Sequence, residues 1–172
     1  MSRGVDRLLA HASGAPSIER GVADEEFAKQ TIDRLDHDYI MYAASKDDWS
    51  TAMALSYGHA RKAVSMLLLA HGWRVPDQPG KHLRIAEAVD AWLGEDGGNG
   101  PRLADSFSRS RKARNNEEYP DSQAPLPDDE ALRQLTLDNM RLVQRVRSEL
   151  GLPVTDSIPT ETALEQWSAQ DD

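Results

Sequence analysis

Arg109, Arg111, Lys112, Arg114, Asn115 and Tyr119 crowd one short stretch of a chain whose net charge is −9. Guanidinium, ammonium, amide and phenol are groups that grip phosphate. The arginine fork matches an oxyanion with paired N–H donors, and the amide and phenol add neutral ones. Plotted from Leu103 at about 100° per residue, Phe107 falls at about 40°, Arg111 at about 80° and Arg114 at about 20°. Two arginines therefore continue the apolar stripe of a helix, where a cation is costly unless a carboxylate, carbonyl or phosphate meets it. Arg109 and Lys112 point elsewhere, toward solvent. Pro120 disfavours the α region at Tyr119, so the chain is expected to leave the helix there and the phenol to fold back toward Arg114. The competing reading is structural: Arg114 satisfied by Glu117, Glu118 or a carbonyl, with Tyr119 closing a helix end.

Other chemistries find less support. The five histidines are His11, His37, His59, His71 and His82, and none forms a His-x-x-x-His pair. With no cysteine, disulfides, thiolate zinc sites and cysteine nucleophiles are excluded together. No metal site and no cofactor is expected. Asp33, Asp36 and His37 read as a solvated charged surface, and Gly97-Gly98-Asn99-Gly100 as a linker, because it lacks the Lys-Ser/Thr of a phosphate loop. No Gly-x-Ser-x-Gly is present. His71 reads as a core or helix-end histidine. His82, after Gly80-Lys81, reads either as a helix-start residue or as a group facing the same cleft as Arg114.

The elements that must position these groups are helical. Apolar residues at helical spacing predict helices over about residues 23–45, 47–72, 81–93, 102–116 and 128–150. In the first, Ala28, Ile32, Leu35, Tyr39, Tyr42 and Ala43 are expected inward. The second is apolar all round by residues 66–70 and should be central. No alternating strand pattern appears, so the expected fold is all-α: an up-and-down bundle of about five helices with flexible N- and C-terminal tails. Residues 1–22 read as a lead-in segment, 23–150 as the bundle and 151–172 as an acidic tail carrying Trp167. No run approaches the roughly 20 apolar residues that span a bilayer, and the N-terminus does not read as a secretory signal. The expected location is cytoplasmic, which zero cysteines fit. The acidic balance argues against a general duplex-DNA coat but leaves room for a local basic cleft.

The order of pieces carries a resemblance. Tyr57-Gly-His-Ala-Arg-Lys-Ala-Val-Ser-Met-Leu-Leu-Leu, then His71-Gly72, then Gly80-Lys-His82, then Arg111-x-x-Arg114-Asn115-x-x-Glu118-Tyr119 together resemble the HEPN superfamily over residues 23–150. That resemblance implies a four- to five-helix bundle, frequently a homodimer, and in many members a metal-independent RNA endonuclease of toxin–antitoxin or defence systems. The family's motif is an arginine, usually followed by a polar residue, with a histidine four to six positions on. Arg114-Asn115 matches its start, but Tyr119 stands at the fifth position and no histidine follows His82. A phenol with a pKa near 10 hydrogen-bonds a phosphate but is a poor base at neutral pH. The resemblance therefore implies a protein that binds RNA or a nucleotide through Arg109, Arg111, Lys112, Arg114 and Asn115, with Arg114, Tyr119 and His82 as the candidate catalytic set of a degenerate ribonuclease. Related subfamilies pair with a nucleotidyltransferase that adenylylates a tyrosine near the motif, which makes Tyr119 an acceptor by resemblance and such an enzyme, or an antitoxin, a partner. Two alternatives stay open: an active ribonuclease using His82 or His71, and a non-catalytic protein-interaction module.

Overall fold

The computed structural model describes residues 3–118 and 127–153. Tyr119, Pro120 and the tail that carries Trp167 lie outside them. The described chain is an all-α bundle, accompanied by one two-stranded ribbon. Its order is α1 (Arg3–Gly14), β1 (Glu19–Arg20), α2 (Glu25–Asp33), α3 (Asp38–Ala44), α4 (Trp49–Ala70), β2 (Trp73–Arg74), α5 (Lys81–Leu93), α6 (Gly100–Glu118) and α7 (Asp129–Glu149).

Helix α4 is the axis, as its all-round apolar sequence predicts. It packs against α7 most extensively and also touches α2, α3, α5 and α6. Its small residues Ala52, Ala60 and Ala63 let neighbours approach, and Met53, Val64, Leu67 and Leu68 fill the gaps between them. Asp48 caps its start by accepting from Thr51 N at 3.1 Å, and Asp24 and Asp128 cap α2 and α7 in the same way, at 2.9 and 2.8 Å.

Two expectations need correction. The lead-in is structure: Val5, Leu8 and Ala12 bury one face of α1 against α5, and Gly4 lies so near Trp92 that an added Cβ would sit 2.9 Å from its ring. The β1–β2 ribbon, with Gly21 N donating to Gly72 O at 2.9 Å, then ties this segment to the end of α4.

The helix expected over 23–45 is two helices. Asp36 Oδ1 accepts from Asp38 N at 2.9 Å, a local bond that competes with helix continuation, and the chain turns between Arg34 and His37. After that turn Ile40, Ala43 and Ala44 face the core, while Tyr39 and Tyr42 stand 70% and 64% exposed.

The glycine-rich break before α6 is a tight corner. Gly94 and Gly100 pack too closely for a Cβ, with carbonyl oxygens 2.6 and 2.7 Å from where one would sit. Asp96 is clamped by Arg145 at 2.8 Å and Arg7 at 3.5 Å.

A buried polar seam sets α6 against α4 and α7. Asn139 donates to Ser56 at 3.2 Å and to Ser110 at 3.1 Å. Ser106 donates to Asp138 at 2.8 Å, and the Asp138 carboxylate, 1% exposed, also meets Arg141 at 2.8 Å and Arg102 at 3.1 Å. Directional bonds of this kind fix axial register, which oily packing alone leaves looser. Arg111 follows Ser110 directly on the same helix, and Asn115 comes about one turn later.

Candidate anion-binding site

Three helices meet at a cavity of about 470 Å³. From α4 comes Arg61, from α6 come Arg111 and Asn115, and the third wall is the start of α5. There Gly80 occupies the N-cap in a left-handed conformation, φ +86°, and has no side chain to satisfy the first turn of the helix. Lys81, His82 and Leu83 follow it into the cavity wall, with Asp77 and Gln78 on the approach. A helix start presents partial positive charge and outward N–H groups, so this wall reinforces the two arginines.

Within the cavity the side chains hold one another. Arg61 Nη1 lies 2.6 Å from His82 Nε2. A guanidinium has no acceptor, so His82 Nε2 is the acceptor and carries no proton in this arrangement. The His82 ring also stands edge-on to buried Tyr57, centroids 6.0 Å apart, and Tyr57 leans on Phe107 at 5.1 Å. His82 is thereby fixed from two sides. Lys81 is paired with Asp77 at 3.1 Å. The Nε atoms of Arg61 and Arg111 are shielded from solvent and make no hydrogen bond. Buried guanidinium N–H groups without acceptors are unfavourable, and an entering oxyanion supplies what they lack.

Three of the residues singled out by type converge here. Arg111, Asn115 and His82 line one cavity, although His82 lies far from the other two in the chain. Arg114 is half-buried, one position before Asn115, and is not among the lining residues. Arg109 and Lys112 are exposed, with Arg109 4.0 Å from Asp105 in a solvent-facing pair. His71 is the C-cap of α4, about 15 Å along the helix from Arg61, and does not reach the cavity. Tyr119 lies outside the described residues. Nothing matches this chain among family models, curated proteins or solved structures. The site therefore stands on its own geometry and on the motif resemblance.

Arg61 is the residue that sequence reasoning passed over. It sits inside the Tyr57–Leu69 stretch but looks like an ordinary polar position on a long helix. Only the approach of α5 makes it a wall of the cavity.

A second histidine cluster lies elsewhere. His37, 6% exposed, and His59 place their Nδ1 atoms 3.1 Å apart. Burial, then the neighbouring His59 and Arg147 charges, lower His37 to about 4 against a partial counter-effect from Asp36. His59 is lowered as well, by burial and then by Lys62. Beside them Arg147, 2% exposed, donates to Asp33 and to the Pro153 carbonyl, each at 3.0 Å. Among the described residues no group of three or more His, Asp or Glu side chains is placed to hold a metal ion, and no helix is long and apolar enough to cross a membrane.

Proposed function

We propose that this protein is a HEPN-type bundle that binds the phosphate of RNA or of a nucleotide in the cavity between α4, α5 and α6. The observation that carries this reading is the convergence of Arg61, Arg111 and the uncapped start of α5 on one concave site. Arg111 and Arg61 supply charge-assisted N–H donors, Asn115 a neutral one, and the first turn of α5 its backbone dipole. In this reading the protein binds and does not turn over. The histidine expected after Arg114 is replaced by Tyr119, and His82, the one histidine at the cavity, has its Nε2 engaged by Arg61. The setting that the resemblance suggests is a cytoplasmic toxin–antitoxin or defence system, with two copies pairing and a nucleotidyltransferase or antitoxin as partner.

The test is fluorescence anisotropy with a labelled single-stranded RNA. Removing a hydrogen bond to a charged group costs about 1.5–3 kcal/mol. Arg61→Ala and Arg111→Ala are therefore each expected to raise Kd about tenfold or more, while Arg109→Ala, on the solvated face, stays within about twofold. Circular dichroism melting shows that the variants remain folded. An unchanged Kd in folded Arg111→Ala removes the assignment.

A further inference from the structure

We propose that the cavity is built for a phosphomonoester, the terminal phosphate of an RNA end or of a mononucleotide, and not for the internal diester of a passing strand. This rests on the phosphate-binding reading above and narrows its ligand.

Charge is the first argument. Lys81 is neutralised by Asp77, whereas Arg61 and Arg111 line the cavity with no carboxylate paired to either among the described residues. Two positive charges are thus left, together with the partial charge at the start of α5. An internal diester carries one negative charge. A phosphomonoester carries about −1.5 to −2 at pH 7 and presents three terminal oxygens. Donors arrive from three directions, α4, α6 and the α5 start, which suits three oxygens better than the two non-bridging oxygens of a diester.

The second argument is the rest of the surface. A strand held along its length needs many neutralised phosphates, and this chain has a net charge of −9. Local capture of one doubly charged end needs only the cavity itself. Around the cations the lining turns neutral, with Gln78, Asn115 and the 41% exposed side chain of Leu83. These offer hydrogen bonds and an apolar edge to an attached nucleoside. A volume of about 470 Å³ falls in the range of small-ligand cavities.

Isothermal titration of the full chain tests this with one short RNA sequence in three forms: 5′-phosphorylated, 3′-phosphorylated and hydroxyl-ended. AMP and inorganic phosphate are titrated beside them. At least one phosphorylated form is expected to bind ten times more tightly than the hydroxyl-ended RNA. Arg61→Ala and Arg111→Gln are expected to erase that difference, the second variant serving if the first fails to fold. AMP matching the phosphorylated RNA identifies a mononucleotide as sufficient, and phosphorylated RNA binding alone identifies a strand end; either supports the proposal. Equal affinity for phosphorylated and hydroxyl-ended RNA overturns it while leaving the phosphate-binding reading intact. No binding by any probe overturns both.

Discussion

At His37 burial works against charge. The ring is held neutral by desolvation and by two nearby cationic groups, His59 and Arg147, with Asp36 only partly offsetting them. In the unfolded chain the same imidazole takes up a proton near 6.5, and in the folded protein only near 4. Between those values the unfolded state binds more protons, so His37 contributes stability that is fully present above pH 6.5 and is lost as pH falls toward 4. The displacement corresponds to at most about 3 kcal/mol, and His59 adds in the same direction. Urea denaturation between pH 7 and pH 4.5 checks this. Because carboxylates titrate in the lower part of the same window, the informative quantity is the difference between wild type and His37→Asn. Wild type is expected to lose about 2 kcal/mol more than the variant over this range; parallel curves would show that the His37 ring is not held neutral by the fold. The residue types at the anion site were readable, since Arg111, Asn115 and His82 have the chemistry of phosphate contacts wherever they sit. The His37–His59 pair was not, because it depends on α3 being turned across α4.

Helix boundaries explain both the agreement and the misses at the scale of elements. Helices α4, α5 and α7 were legible because each shows an apolar stripe and its own start signal, such as Asp48 or Asp128. The break between α2 and α3 was hidden because the 3.6-residue period counted smoothly across it, carrying Tyr39 and Tyr42 onto an imagined inner face. The signal was Asp36, a residue that offers the backbone a bond outside the helix. Helix α1 was missed for a different reason: its stripe is short, and the contact that secures it lies with Trp92, far along the chain. That contact makes Gly4 informative. A methyl there meets the Trp92 ring at 2.9 Å and the Trp92 carbonyl at 3.0 Å, and overpacking of this kind costs about 1–3 kcal/mol. Alanine's better helix propensity offsets part of it, by up to about 1 kcal/mol. Gly4→Ala is therefore expected to lower stability by about 1 kcal/mol and Tm by about 2–4 °C. A Tm equal to or above that of wild type would mean that α1 is a loosely attached lead-in after all.

Over the whole molecule, a chain of net charge −9 carries a small cationic cavity, and the two should be separable by salt. Composition gave the net charge directly, but not the gathering of Arg61, Arg111 and the α5 start. That gathering depends on the seam of Ser56, Ser106, Ser110, Asp138 and Asn139 that sets α6 against α4. On a single strand each neutralised phosphate contributes about −0.7 to the slope of log K against log salt. With Arg61 and Arg111 as the cavity's two cations that pair with no carboxylate among the described residues, RNA binding is expected to show a slope of about −1.4, or about −2 if the α5 start acts as a third contact. A strand lying in a long basic groove, with six or more phosphate contacts, would give about −4 or steeper. Anisotropy titrations from 50 to 300 mM salt distinguish the two. A shallow slope that flattens further in Arg111→Ala places recognition in the cavity, because the lost charge then accounts for one contact of very few. A steep slope unaffected by Arg111→Ala places the nucleic acid on another surface and removes the cavity from the reading.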